Sequence, residues 1–178
     1  MKAKQELRKK LLLQRNAILP IKKQNWDDSL VAQLKALVNK QSTKTVHTFI
    51  PMDNEVGILP FVQWLLDDGI QVICPKSLPK RTMENRELAS LQELESGMYG
   101  TQYPASTQIY SGNYDLIIVP GLAFDRQEYR MGYGAGYYDT FLAQHPQAYK
   151  VGVCYPFQLV DEVPTEAHDV QLNEIVVA

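Results

Sequence analysis

The sequence predicts an α/β fold: a three-layer α/β/α sandwich around a mostly parallel sheet, with residues 1–178 forming a single domain. Three observations predict it. Segments with helical apolar spacing alternate with short apolar runs that stop at proline or glycine, the pattern of strand–helix–strand units. The segment DLIIVP (115–120) has a continuous apolar run, as suits a strand covered on both faces. A chain of 178 residues, 45% of them apolar, encloses one core without a disulfide or metal staple.

Residues 3–19 hold Leu7, Leu11 and Ile18 in helical phase, with Leu12 widening the stripe, and Pro20 is expected to end that helix. A second helix over 22–39 turns Leu30, Leu34, Leu37 and Val38 inward. The period then falls to two in TVHTFI (45–50), a strand broken at Pro51. Residues 58–68 return to helical spacing and stop at Gly69, a residue suited to a helix C-terminus. IQVIC (70–74) reads as the next strand, closed by Pro75.

Residues 77–112 are polar and interrupted by Gly97, Gly100, Pro104 and Gly112, so loops and a hairpin are expected, with one strand around Arg86–Leu91. After the 115–120 strand comes a glycine-rich loop, then a helix from Gly136 to Gln144 and strands at YKVGVC (149–154) and NEIVV (173–177). Pro51, Pro75 and Pro120 mark strand ends at the sheet's carboxyl edge, where open α/β sheets bind ligands.

Composition removes several classes of function. Eighteen Lys plus Arg against 20 Asp plus Glu give a net charge of −2, which supports neither a broad nucleic-acid surface nor a polybasic membrane anchor. The opening segment is basic, but its apolar run is only Leu11–Leu13, short of a signal peptide, and no stretch reaches the ~20 residues of a membrane span. A cytoplasmic monomer is expected. Cys74 and Cys154 stand far apart, each ending an apolar run, and read as buried thiols. His47, His145 and His168 are too dispersed for a histidine-based metal site.

The densest chemical signal is Arg130-Met131-Gly132-Tyr133-Gly134-Ala135-Gly136-Tyr137-Tyr138-Asp139. Glycines at alternate positions let the main chain turn tightly and approach a ligand. Placed just before a helix, their N–H groups form an anion site, to which Arg130 adds a planar fork for phosphate oxygens. A glycine-rich turn packed by tyrosines is the plainer reading. The segment is neither a dinucleotide fingerprint, whose third glycine would fall at Tyr137, nor a Walker loop, which needs Gly-Lys-Ser/Thr.

Lys4 and Arg8 lie one turn apart on the first helix, either as a solvated basic face or as part of an anion site. Their charges oppose the helix dipole, a penalty that an external anion would reverse. PMDNEV (51–56) presents Asp53 and Glu55 just past a strand, and Lys76 follows the next strand in the same manner. His168-Asp169 reads as a cap, a turn or a ligand pair. All ten tyrosines fall between Tyr99 and Tyr155, suited to stacking on a flat ring or to packing beneath long loops.

Taken together, these residues resemble the 5-formyltetrahydrofolate cyclo-ligase family, also called methenyltetrahydrofolate synthetase. PGLAFDRQEYRMGYGAGYYDTFL (120–142) is similar to the family's Pro-Gly-Leu-x-Phe-Asp stretch followed by arginine, spaced glycines and Tyr-Tyr-Asp. Lys4-x-x-x-Arg8, Asn54-Glu55, Pro75-Lys76 and His168-Asp169 fall in the family's order, so the resemblance spans nearly the whole chain. Departures are Tyr129, where glycine is common; Ala135, whose side chain cannot hold phosphate; and Asn173, where an acid is common.

The resemblance implies ATP-dependent closure of 5-formyltetrahydrofolate to 5,10-methenyltetrahydrofolate, with ADP and phosphate released after phosphorylation of the formyl oxygen. It implies that Lys4, Arg8 and the stretch Arg130–Tyr138 hold ATP, that Asp139 and Asp169 hold Mg²⁺, and that Arg8, Ile50 and Glu55 line the folate site. Arg130 and Lys76 would act on the phosphates. Reduced folate and ATP are then the partners, with no nucleic acid and no membrane. Two other readings stay open: a catalytically silent relative that binds folate or nucleotide, and an α/β phosphosugar isomerase or transferase, for which no acid–base pair is clearly placed.

Overall fold

The structure, a computed structural model, describes residues 2–52 and 54–178, with side chains from Lys4 onward. Asp53, one of the two loop acids considered above, lies outside the described residues. The first half of the chain runs α1 (Lys2–Asn16), α2 (Pro20–Gln41), β1 (Thr45–His47), α3 (Leu59–Asp67), β2 (Gln71–Leu78), β3 (Thr82–Glu87), β4 (Leu94–Ser96) and β5 (Gln102–Pro104). The second runs β6 (Leu116–Val119), β7 (Ala123–Phe124), β8 (Arg130–Met131), α4 (Tyr137–Gln144), β9 (Tyr149–Cys154) and β10 (Glu174–Val177).

Six strands form the central sheet in the order β10-β9-β6-β1-β2-β3, parallel throughout except for the antiparallel edge strand β3. Strand alternation divides its side chains between two cores. Val46, Val72, Cys74, Leu116, Ile118, Val151, Val153 and Val176 face α2 and α3, meeting Leu30, Leu34, Phe61 and Leu65. Ile73, Ile117, Val119 and Cys154 face α4, meeting Phe141 and Leu142. The three-layer α/β/α expectation therefore holds, and both thiols are buried and free. Helix α1 packs separately, placing Leu11 against Leu122, Ala123 and Met131 of the β7–β8 hairpin. Among the described residues no helix is long and apolar enough to cross a membrane.

Several boundaries differ from the expectation for physical reasons. Helix α1 stops at Asn16, and Pro20 opens α2 at its first turn, where a missing N–H costs nothing. Helix α3 ends as expected: Gly69 has φ +72°, and the N–H groups of Gly69 and Ile70 bond Leu66 and Leu65 carbonyls, a Schellman closure. Pro75 does not close β2, which continues to Leu78 and pairs with β3 at Pro75–Asn85. Strand β1 ends opposite Ile73, so beyond that point only β3 remains as a neighbour and the absent amide is tolerated. The edge strand is Thr82–Glu87 instead of Arg86–Leu91.

One buried group gives the fold a pH dependence. His47 is fully buried against Phe141 and Tyr114; its Nε2–H donates to Asn85 Oδ1 (3.0 Å), and Nδ1 has no partner. Burial lowers its pKa from 6.5 to about 3. The folded value lies below the unfolded one, so the contribution is complete above pH 6.5 and is lost as pH falls toward 3. Between pH 7 and 5 that amounts to about 2 kcal/mol. Urea unfolding at both pH values is expected to show this loss in the parent and a flatter response in His47→Gln; equal slopes in the two proteins would reject the assignment.

Candidate active site

Past the carboxyl ends of β1 and β6, where the chain's crossovers diverge to opposite sides of the sheet, lies a cavity of about 910 Å³. That volume is near the top of the range of about 300–1,000 Å³ usual for small-molecule sites. Phe49, Ile50, Met52 and Glu55 reach it from the segment after β1, and Pro120 from the end of β6. Lys4 and Arg8 come from α1, residues 130–139 from β8 through the first turn of α4, and Glu166, His168 and Asp169 from the segment before β10.

The glycine loop is built as its spacing requires. Gly136 is the N-cap of α4 at φ +74°, and no side chain caps that helix, so the loop and the helix's positive end open toward the cavity. Gly134 has φ +102°, and a Cβ there would meet the Arg8 guanidinium at 3.2–3.4 Å. Arg8 is fixed by donating Nε–H to the Gly132 carbonyl at 2.9 Å. The loop's glycines thus make room for a cation from α1 and for main-chain approach.

Arg130 anchors the loop's first residue. It is buried, donates Nη2–H to Asp139 Oδ1 at 2.6 Å and lies 5.7 Å from the Tyr138 ring centre, with Nε lacking a partner. Burial draws its pKa down, opposed by Asp139, Tyr138 and Asp169. The Tyr138 hydroxyl is buried without a partner, and burial pushes its pKa up. Lys4 lies 3.1 Å from Glu166 and 3.5 Å from Asp169, which ties α1 to the segment before β10. Donors from Arg130, Tyr138 and Lys4, two of them with an unpaired atom, thus gather with the carboxylates of Asp139, Glu166 and Asp169 at the same cavity.

Glu55, which lines the same cavity, is buried. Its Oε2 accepts the Met52 N–H at 2.9 Å, and its Oε1 accepts the Tyr133 hydroxyl proton. The loop bearing it is held from behind by Asp27, which accepts Gly57 N–H (2.7 Å), the Tyr155 hydroxyl (2.6 Å) and Lys23 Nζ (2.6 Å). Tyr155 also reaches the Glu55 carbonyl at 3.2 Å.

Lys4, Arg8, Ile50, Glu55, the whole stretch Arg130–Tyr138, Asp139 and Asp169 are thus brought to one cavity. Lys76 is not. Because β2 continues past Pro75, its alternation sends Pro75 and Ser77 to the cavity and Lys76 to the other face, with Nζ 4.2 Å from the Tyr103 ring centre. Lys76 therefore stands apart from the residues expected at the phosphates. The cavity also holds residues the sequence reading did not single out: Arg81 from the β2–β3 turn, at φ +61° with its side chain against Gly136, and Tyr99 at φ +59°. The only sequence signal for Arg81 is a cation just before the polar segment that forms β3.

A sequence profile of the 5-formyltetrahydrofolate cyclo-ligase family matches residues 1–178. The 5-formyltetrahydrofolate cyclo-ligase of Mycolicibacterium smegmatis is 30% identical over 184 aligned positions, covering 98% of this chain and 93% of that protein. That of Mycoplasma pneumoniae is 30% identical over 177 positions, covering 97% of each. Among solved structures, the NMR structure of the Aquifex aeolicus 5,10-methenyltetrahydrofolate synthetase is similar with a TM-score of 0.85 and 31% identity, covering 98% of this chain and 89% of that one.

Proposed function

Since the chain belongs to the 5-formyltetrahydrofolate cyclo-ligase family, we propose that its large cavity is where ATP and 5-formyltetrahydrofolate meet, within one domain spanning residues 1–178. The reaction is the ATP-dependent cyclisation of 5-formyltetrahydrofolate to 5,10-methenyltetrahydrofolate. The observation that carries the placement is that one cavity gathers Lys4, Arg8, Arg130 and the glycine loop together with Ile50 and Glu55.

The chemistry follows from a poor leaving group. The formyl oxygen takes the terminal phosphoryl group of ATP, and ADP leaves. The neighbouring bridge nitrogen then attacks the activated carbon and gives up its proton, the carbon–oxygen bond breaks, and phosphate departs as the five-membered ring closes. Phosphoryl transfer asks mainly for alignment and neutralised charge, so no nucleophilic side chain is required. Arg130, Lys4 and Arg8 supply positive charge, and the N–H groups of the loop and of α4's first turn hold phosphate oxygens. Glu55 accepts hydrogen bonds from the pterin's amino and ring N–H groups.

Asp139 and Asp169 fit a magnesium ion at the phosphates. Both line the cavity and act on the buried Arg130 charge, and Asp139 Oδ2 takes part in none of the hydrogen bonds among the described residues. Among the described residues no group of three acid, histidine or cysteine side chains is gathered for a metal. Magnesium in nucleotide sites is usually held by one or two carboxylates, with phosphate and water completing the shell. When bound, the ion would neutralise charge developing on the phosphates. Asp139→Asn is expected to raise the magnesium concentration needed for half-maximal rate about tenfold, by weakening a charge-based contact. Identical magnesium titrations for variant and parent would rule out a contact from Asp139.

The reading also places a monomeric enzyme in the cytoplasm, acting on small molecules alone. Its test is to incubate the protein with 5-formyltetrahydrofolate and magnesium, with and without ATP. The near-ultraviolet absorbance of the methenyl product is expected to rise only with ATP. No rise would favour the silent relative, and phosphosugar turnover without ATP use would favour the isomerase reading.

A further inference from the structure

We propose that Arg15 is a positioning residue for the folate side of the cavity: through Tyr133 it holds the Glu55 carboxylate aimed at the substrate. The proposal rests on the reading of Glu55 as the pterin acceptor. Arg15 is on α1, two turns beyond Arg8 and on the face that also bears Lys4 and Leu11, since positions 4, 8, 11 and 15 follow the helical repeat. Leu11 is buried against the β7–β8 hairpin, which fixes the rotation of the helix and sends Arg15 inward beside it.

Arg15 is only 7% exposed and Glu55 only 5%. Arg15 Nη1 donates to the Tyr133 hydroxyl at 2.7 Å, that hydroxyl donates to Glu55 Oε1, and Nη1 lies 3.8 Å from the same oxygen. Among the described residues no other cation lies within ion-pair distance of Glu55. A buried carboxylate without a counter-charge is costly, so the guanidinium offsets the cost of burying Glu55 in this position.

The arrangement also sets direction. Met52 N–H occupies Oε2, and Tyr133 occupies Oε1 from the side of Arg15. A carboxylate has about four acceptor positions, so two remain, and because Glu55 lines the cavity they are available there to a donor pair from a flat heterocycle. The Tyr133 ring, 42% exposed, forms the cavity wall beside them. Tyr133 belongs to the glycine loop, so the same loop that approaches the phosphates at Gly134 and Gly136 also ties down the folate acceptor. Arg8 and Arg15 reach that loop from one helix, the first through Gly132 and the second through Tyr133.

The test is steady-state kinetics on the full chain with Arg15→Met, Arg15→Lys, Tyr133→Phe, Glu55→Gln and the double variant Arg15→Met with Glu55→Gln, each checked by thermal melting. Arg15→Met is expected to raise KM for 5-formyltetrahydrofolate about tenfold, by the loss of a charge-assisted contact. KM for ATP and kcat should change little, Arg15→Lys should recover part of the loss, and the double variant should be no worse than Glu55→Gln alone. A loss confined to thermal stability, an equal rise in KM for ATP, or additive effects in the double variant would overturn the proposal. Should Arg15→Met fail to fold, Tyr133→Phe combined with Glu55→Gln runs the same comparison with a smaller change. If Glu55→Gln leaves the folate KM unaltered, the reading of Glu55 fails; if it raises that KM and Arg15→Met does not, only the role of Arg15 fails.

Discussion

Replacing Arg130 with methionine is expected to lower kcat/KM for ATP by about 10²–10³-fold in a protein that still folds. One charge-assisted hydrogen bond is worth about 1.5–3 kcal/mol, and a guanidinium on a transferring phosphoryl group adds stabilisation that exists only in the transition state. Arg130 has the geometry for both: its Nη2 is committed to Asp139, its Nε is unpaired, and it opens the glycine loop. Methionine keeps a long unbranched side chain in place of the guanidinium, which limits the cost to packing. The Asp139 side chain keeps some solvent contact, which softens the penalty of leaving it unpaired. Arg130→Lys separates charge from shape, since an ammonium keeps the charge but not the planar fork, and should recover only part of the rate. Nucleotide titrations and direct ADP binding measure the effect. Unaltered ATP dependence in a folded Arg130→Met protein would remove Arg130 from the phosphate end.

The parts of this site that were legible in the sequence are those whose chemistry is local. Glycines at 132, 134 and 136 before a helix announce an anion loop whatever the tertiary structure, and the structure puts positive φ at 134 and 136. Lys4 and Arg8 were legible as a pair because helical spacing alone puts them together. Arg15 obeys the same spacing, yet its role depends on Tyr133 and Glu55 arriving from 118 and 40 residues away along the chain, a meeting that no local pattern records. Lys76 went astray for a different reason. Proline is a sound strand terminator only where the next strand needs its amide; β2 loses its β1 neighbour there and runs on, so residue 76 belongs to the strand and turns away from the cavity. The polar stretch 77–112 hid the β2–β3 turn, and with it Arg81, because the edge strand β3, Thr-Met-Glu-Asn-Arg-Glu, holds one apolar residue and shows neither the continuous run of a buried strand nor an alternation.

Gly134→Ala should show whether the loop and α1 act as one device. Its backbone sits at φ +102°, a region where a side chain costs on the order of 1–3 kcal/mol, and the new Cβ would press on Arg8 at 3.2–3.4 Å. The chain can yield either by turning the loop toward ordinary φ or by pushing Arg8 off the Gly132 carbonyl. Both moves separate a main-chain donor from the cation that shares its ligand, so ATP use should fall about 100-fold, as small misplacements of positioning groups do. Gly69 offers a control for strain alone. It has φ +72° with open space around its missing Cβ, in the turn between α3 and β2, away from the residues lining the cavity. Gly69→Ala should therefore lower the melting temperature while leaving KM for ATP where it was. If Gly134→Ala behaves like Gly69→Ala, losing stability but keeping its nucleotide kinetics, the contact between the loop and Arg8 is packing and not part of the phosphate site.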